Sequence, residues 1–167
     1  MPTLLVQSFL QHLQHEETLL REALAITKTL YTALVAGDLG SAQNSSLRQE
    51  TLAAALQEAA HRRAEAAVAL AREVGFTGSA LTLSALAARL PEPLATEVIM
   101  ARDRLAVLTA ELTVAQTRNA NLLHHLRSYL RGVLSDADSD VPVRYGPSGA
   151  RIDAPVSLST LRERATA

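Results

Sequence analysis

The sequence predicts an all-α protein, an elongated antiparallel three-helix bundle of the coiled-coil type followed by a disordered C-terminal tail. Apolar residues recur at alternating spacings of three and four along three long stretches. Alanine and leucine supply about a third of the chain, whereas aromatic residues make up 3% and tryptophan is absent. This composition favours close packing of helices over a β-sandwich.

The charge balance and the missing cysteine narrow the class of protein. Sixteen cations are scattered among seventeen anions, so the clustered basic face of a nucleic-acid-binding protein is absent. Lys28 is the only lysine, and no polybasic segment for a lipid surface is present. Without cysteine, disulfides and thiolate chemistry are excluded. Residues 1–7 carry no positive charge of the kind that begins a signal peptide, and their apolar run is interrupted by Gln7. We therefore expect a cytoplasmic protein without stable membrane insertion.

The first helix is predicted over residues 3–36. Seven of the nine positions on its main seam are apolar, and a second apolar stripe lies beside it, which indicates two neighbouring helices. The seam comprises Val6, Leu10, Leu13, Glu17, Leu20, Leu24, Thr27, Tyr31 and Leu34. The stripe comprises Leu5, Phe9, Leu19, Ala23, Ile26 and Leu30. Gly37 is expected to break the helix, and Asp38 is a candidate cap for the next one.

The second helix is predicted over residues 41–74, with a weaker seam of smaller side chains. That seam comprises Ala42, Leu52, Leu56, Ala59, Ala66 and Leu70. Small residues allow close approach of a partner helix but bury less area per turn. The Gly75-Phe76-Thr77-Gly78 segment ends this helix. Residues 82–90 are a candidate short helix, which Pro91 and Pro93 stop.

The third long helix is predicted from Pro93 or Leu94 to about Leu134. Eleven of the twelve positions on its seam are apolar, a close match to a heptad template. They are Leu94, Val98, Ala101, Leu105, Leu108, Leu112, Ala115, Asn119, Leu122, Leu126, Tyr129 and Val133. The first and third long helices are similar in length, so we expect an antiparallel arrangement.

The chain changes character at Ser135. An acidic Asp136-Ala137-Asp138-Ser139-Asp140 linker precedes Tyr145-Gly146-Pro147-Ser148-Gly149, and apolar periodicity is lost. These features predict disorder, and residues 157–164 are a candidate short helix that forms on a partner. We therefore expect a helical bundle domain over residues 1–134 and a flexible tail over residues 135–167.

No catalytic, cofactor or metal site is predicted, and we expect a binding protein, not an enzyme. Glu58 and His61 have the E-x-x-H spacing of a di-iron bundle, but the sequence lacks a second such pair on another helix. The adjacent His124 and His125 point about 100° apart and do not easily share an ion. No glycine-rich phosphate loop or nucleophile–base pair is present.

Several segments of the chain match a known pattern in their order and spacing. A Val35-Ala36-Gly37-Asp38-Leu39 break follows a long first helix, and the second helix carries Glu50 and the Arg62-Arg63 pair. The segment Ala115-Gln116-Thr117-Arg118-Asn119-Ala120-Asn121-Leu122-Leu123 is similar to an L-N-x-x-N-x-x-L-L signature. The Tyr145-Gly146-Pro147-Ser148-Gly149 segment matches Y-G-x-x-G. Together these segments resemble the flagellar export chaperone family FlgN.

Two positions depart from that family pattern. Gln116 replaces the first asparagine of the signature, and Thr51 stands where a lysine is frequent.

The resemblance implies a cytoplasmic chaperone for the hook–filament junction proteins FlgK and FlgL. It implies that the chaperone prevents their premature assembly and delivers them to the cytoplasmic domain of the export-gate protein FlhA. The implied client-binding residues are Asn119, Leu122, Leu123, Leu126, Tyr129, Leu130 and Val133. The implied gate-docking residues are Tyr145, Gly146 and Gly149.

Each implied role has a structural alternative. A buried Asn119 can fix helix register, and this interpretation is favoured over a hydrogen bond to a client. Five residues of the last turns are either bundle core or one side of a groove that an incoming amphipathic helix completes, and the two interpretations are equally favoured. They are Leu122, Leu126, Tyr129, Leu130 and Val133. Tyr145 is either a tail aromatic without a partner or, as favoured here, an anchor for a short linear interaction.

At the level of the whole protein, the alternative is a non-enzymatic coiled-coil adaptor or scaffold in a permanent complex. A chaperone is expected to form a reversible one-to-one complex with a separately expressed client. A scaffold is expected to co-purify as a fixed part of a larger assembly. A di-metal enzyme ranks third and would contain metal after purification.

Overall fold

The computed structural model describes residues 2–78, 81–139, 144–145 and 151–152. These residues form four helices, α1 (Pro2–Ala36), α2 (Leu39–Glu73), α3 (Leu83–Ala87) and α4 (Leu94–Ser139). Two short strands follow, β1 (Arg144–Tyr145) and β2 (Arg151–Ile152). The all-α class is therefore confirmed, but the described residues form four helices instead of three. The chain divides into two units, Met1–Leu122 and Leu123–Ala167.

Glycine ends α1 and α2 in the same way. Gly37 has φ +70° and Gly75 has φ +64°, in the left-handed region that a residue without Cβ adopts at little cost. The next residue closes each helix, because the Asp38 amide donates to the Ala33 carbonyl and the Phe76 amide to the Ala71 carbonyl, both at 2.9 Å. Both predicted helix ends are confirmed.

Hydroxyl and carboxylate caps begin the next helices. Asp38 Oδ1 accepts from the Ser41 amide at 3.0 Å, and Asp38 Oδ2 accepts from the Ser41 hydroxyl at 2.6 Å. The hydroxyl and amide of Ser41 hold the pKa of the Asp38 carboxyl below its ordinary value, since they stabilise the charged form. Thr82 caps α3, where its Oγ1 accepts from the Ala85 amide at 3.1 Å. The predicted cap at Asp38 is thus confirmed.

Polar contacts show that α1 and α2 are antiparallel. Glu16 Oε2 lies 2.8 Å from Arg63 Nε, and Gln49 Nε2 donates to Thr27 Oγ1 at 2.8 Å. Position numbers therefore rise along α1 as they fall along α2. The Arg63 N–H does not point at the Glu16 oxygen, so this contact is an ion pair without a hydrogen bond.

The first and last long helices run parallel, which corrects the expected antiparallel arrangement of these two. Arg104 Nε donates to Glu17 Oε2 at 3.1 Å, and Arg118 Nη2 donates to Tyr31 OH at 2.7 Å, in both cases with an offset of 87 residues. The physical reason is the path of the chain, because α2 reverses the direction of α1 and α4 reverses it again. Equal length alone does not distinguish the two directions.

One apolar core joins all four helices. Both stripes of α1 contribute to it, and Leu86 of α3 is almost fully buried, so the short helix is part of the packed bundle. The largest fully buried side chains are Phe9, Leu13, Leu70, Leu86, Val6, Val98 and Thr27. Arg102 Nη1 also donates to Ser84 Oγ at 2.6 Å and ties α4 to α3.

The C-terminal region is described only in part. Helix α4 continues to Ser139, past its predicted end at Leu134, and β1 pairs antiparallel with β2 through Arg144 with Ile152 and Tyr145 with Arg151. The remainder of the predicted flexible tail, including the candidate helix over residues 157–164, lies outside the described residues. Among the helices that the structure describes, none is both long and apolar enough to cross a membrane.

Candidate functional site

The heptad seam of α4 passes from buried to exposed along a single helix. Leu112 is 8% exposed, whereas Leu126, two heptads further on, is 37% exposed. Each residue of α1 lies beside the residue of α4 whose number is 87 higher, as Glu17 lies beside Arg104. The last residue of α1, Ala36, is therefore level with about position 123. Helix α1 therefore has no residues left to pair with later turns, although the apolar pattern continues.

Six of the predicted client-binding residues lie on these later turns. We call them the distal α4 surface, and they are Leu122, Leu123, Leu126, Tyr129, Leu130 and Val133. Leu122 is half-buried and the other five are exposed. Spacings of three, four and seven place them along one side of the helix. Such a row fits the apolar face of an incoming amphipathic helix.

The seventh predicted client residue, Asn119, lies apart from this row because it is buried in the bundle. Its side chain is 5% exposed, and Nδ2 donates to the Thr27 carbonyl at 2.9 Å. Its other amide atom, Oδ1, is buried without a hydrogen-bond partner among the described residues. A contact that ties α4 to the α1 backbone supports the register interpretation of this asparagine.

The gate-docking prediction falls mostly outside the described residues. Tyr145 belongs to β1, where its backbone pairs with Arg151. Gly146 and Gly149 are not described. This prediction therefore remains a prediction.

A groove between α1 and α4 was not predicted from the sequence. It has a volume of about 630 Å³, and its lining includes Leu24, Lys28, Val114 and Arg118. The Arg118 guanidinium lies 3.7 Å above the ring centre of Tyr31, which also lines the groove, in a cation–π contact. All of these residues belong to the unit that ends at Leu122.

One sequence signal for this groove existed. Met100, Val107 and Val114 recur every seven residues on α4, outside its main seam, and all three are exposed. A second apolar row on a helix indicates a second neighbour.

A buried carboxylate sets the pairing of α1 with α4. Glu17 lies within the apolar seam of α1, where its carboxylate accepts hydrogen bonds from Arg104 and Arg21. The guanidinium groups reach this carboxylate from the surface, since both arginines are partly exposed. A buried ionic contact of this kind favours one register over its neighbours.

The other titratable pairs of the sequence analysis lie on exposed faces. Glu58 accepts from Arg62 Nε at 2.8 Å, and His61 Nε2 lies 3.3 Å from Glu65. The two rings of His124 and His125 stand edge to face with centres 6.0 Å apart. No cluster of three or more histidine, aspartate or glutamate side chains with metal-site geometry occurs in the described part of the chain.

These features define a structural class. The described residues form an all-α bundle whose last helix carries an exposed heptad row, and such rows are typical of surfaces that bind amphipathic helices.

The family is given by comparison with known proteins. The model of the family described as "FlgN protein" matches residues 1–151, so the chain belongs to the FlgN family. This membership confirms the resemblance and implies a general role as a flagellar export chaperone, in a family that is not known for enzymatic activity. Searches of curated proteins and of solved structures return no match.

Proposed function

We propose that this protein is a cytoplasmic chaperone of flagellar type III export for the hook–filament junction proteins FlgK and FlgL. The distal α4 surface covers an amphipathic helix of the client and so prevents premature assembly. The observation that carries this proposal is the exposed continuation of the α4 heptad seam through Leu126, Tyr129 and Val133. Family membership supports flagellar partners in general.

The apolar row is large enough to bind a helix. Full burial of one Leu or Val side chain contributes about 1.5–3 kcal/mol. The six side chains of the distal α4 surface begin partly covered, so each contributes less than this. Their sum still offsets a substantial part of the roughly 4–15 kcal/mol that association costs. One row of this kind suits a complex that forms and dissociates, as delivery requires.

Delivery is assigned to the C-terminal segment. We propose that Tyr145, with Gly146 and Gly149, docks on the cytoplasmic domain of FlhA. An aromatic side chain next to tight-turn residues offers a large contact area at a low entropic cost.

Leu126→Asp tests the client surface. The substitution places a charge in the exposed row, so we expect client affinity to fall ten-fold or more while the melting temperature changes little. Leu112→Asp is the buried control on the same helix and should unfold the bundle. Leu47→Asp is the exposed control on α2 and should change neither property.

Circular dichroism and titration calorimetry with separately purified FlgK and FlgL separate the outcomes. If Leu126→Asp loses helicity in step with binding, Leu126 is core and the client surface is wrong. A complex that never exchanges its client would favour a permanent scaffold instead.

A further inference from the structure

The groove between α1 and α4 is a concave site on the surface of the bundle. We propose that it is a second helix-binding site, which takes an amphipathic client helix with a hydrogen-bond donor in its apolar face and carboxylates along one edge. The nature of the client rests on the proposed function, but the site does not include the distal α4 surface.

The shape and the lining of the groove fit a helix. Its volume of about 630 Å³ accommodates several side chains, and small residues at Ala110 and Ala115 allow close approach. Val114 lies at the groove and is 70% exposed, and Val107, one heptad earlier on α4, is also exposed. A row with a seven-residue repeat matches a helix lying along α4.

A buried acceptor points to a specific feature of that helix. Asn119 lines the groove, and its Oδ1 is buried without a partner in the described part of the chain. A buried acceptor without a hydrogen bond is costly, because it has lost water and gained nothing in exchange. Because Oδ1 has almost no exposed surface in the free protein, we expect the Asn119 side chain to turn towards the groove on binding, where an amide or hydroxyl side chain on the incoming helix would donate to it. The apolar face of the ligand should therefore contain one Asn, Gln, Ser or Thr.

The charged residues that line the groove indicate which charge the incoming helix carries. The charged residues that line the groove are Lys28, Arg118 and Glu111, so the charge of the lining is net positive. Lys28 makes no ion pair with any described residue. The Arg118 guanidinium lies over the Tyr31 ring and donates one hydrogen bond to Tyr31 OH, so its remaining N–H groups can donate to a carboxylate. Complementary charge favours a helix with acidic residues next to Lys28 and Arg118.

A second copy of the chain fits the groove less well. In a symmetric dimer, the groove of one copy would face the same groove of the other copy. Two concave surfaces that face each other make few contacts. We therefore assign the groove to a helix of another protein.

The chain lacks cysteine, so single cysteines can carry a photo-crosslinker at chosen positions. Val114→Cys reports on the groove, Leu130→Cys on the distal α4 surface, and Leu47→Cys on an exposed apolar position of α2. The probe is separately purified full-length FlgK or FlgL. We expect client adducts from positions 114 and 130 and none from position 47.

Affinity measurements test the chemistry of the site. Val114→Asp should lower client affinity about ten-fold and Lys28→Glu several-fold, with unchanged melting temperatures because both side chains are exposed. Leu47→Asp is the matched control for Val114→Asp.

Each outcome decides the proposal. Adducts from position 130 but not 114, with full affinity for Val114→Asp, would overturn the groove and leave the proposed function intact. Adducts from 114 but not 130 would keep the groove and remove the distal surface. Chaperone–chaperone adducts from 114 without client would overturn the proposal in favour of a second copy, and the absence of all adducts would overturn both sites.

Discussion

Asp38 stabilises both the end of α1 and the start of α2. Its backbone amide closes α1 on the Ala33 carbonyl, and its carboxylate opens α2 by accepting two hydrogen bonds from Ser41. The side chain is fully exposed, so its effect on stability comes from these hydrogen bonds and from its charge at the helix N-terminus.

Asp38→Ala is therefore expected to lower the melting temperature at neutral pH. The pKa of the Asp38 carboxyl is lowered in the folded state by its bonds to Ser41. Its stabilisation is thus fully present above the ordinary value of 3.8 and is lost as pH falls through the folded-state pKa. Thermal melts from pH 7 down to pH 2 should show the difference between the two proteins shrinking. Ser41→Ala should produce a smaller effect, and a difference independent of pH would contradict the assignment.

For single residues, the local roles of Gly37, Asp38 and Asn119 were predicted from the sequence, but the partner of Asn119 was not. Gly-Asp after an apolar run identified the break and the cap, because both depend on local backbone geometry. Asn119 was predicted to fix register, yet its acceptor, the Thr27 carbonyl, lies 92 positions away. A heptad pattern gives the side of a helix that is buried, but not the residue that faces it.

Among the elements, the contact between α1 and α4 includes one charged pair within an apolar seam, Glu17 with Arg104. A double-mutant cycle with Glu17→Gln and Arg104→Gln should give a coupling free energy of about 1 kcal/mol, since one partner is buried. Glu22 and Arg48 form the control pair, at 3.6 Å and with both side chains at least half exposed, and should couple near zero. Urea unfolding of each variant measures these values, and equal coupling in the two pairs would contradict a register role for Glu17.

The bounds of a helix were predicted well where glycine marks its end, and less well where no residue of the sequence marks it. The ends of α1 and α2 follow from glycine, and α3 was predicted over residues 82–90 but spans Leu83–Ala87. Helix α4 was ended too early, since aspartate and serine weaken a helix without breaking it and the first proline beyond it is Pro142. The direction of α4 relative to α1 required the Arg104 and Arg118 contacts.

For the whole molecule, the proposed separation of holding from delivering predicts a selective variant. Tyr145 lies beyond the bundle in sequence, so Tyr145→Ala should leave the melting temperature nearly unchanged and client affinity within a few-fold. Affinity for the FlhA cytoplasmic domain should fall ten-fold or more, because truncation of an aromatic hot spot costs about 2 kcal/mol or above. Titration calorimetry against each partner measures both.

Leu126→Asp is the complementary control, with weakened client binding and retained affinity for FlhA. Equal affinity of Tyr145→Ala and the parent protein for FlhA would remove the docking role.

The residues of the proposed client surface could be listed from the sequence, but their exposure could not be predicted from it. The seam reads the same from Leu94 to Val133, so the sequence left core and groove as equal alternatives. The length of α1 accounts for the exposure of the later turns, because its pairing with α4 ends near position 123. The α1–α4 groove was missed because only one seam of α4 was considered.

Glu17 also matters before the protein is complete. A ribosome releases Glu17 well ahead of its partner Arg104, which follows 87 residues later, roughly 4–17 s at about 5–20 residues per second. During that interval the nascent first helix exposes Leu13, Leu20 and Leu24. The Glu17 carboxylate interrupts this apolar stripe, which would otherwise be continuous and prone to aggregation. Glu17→Leu should therefore lower the soluble fraction on expression at 37 °C while changing the unfolding free energy of the purified protein little. An unchanged soluble fraction would show that the charge serves only the finished bundle.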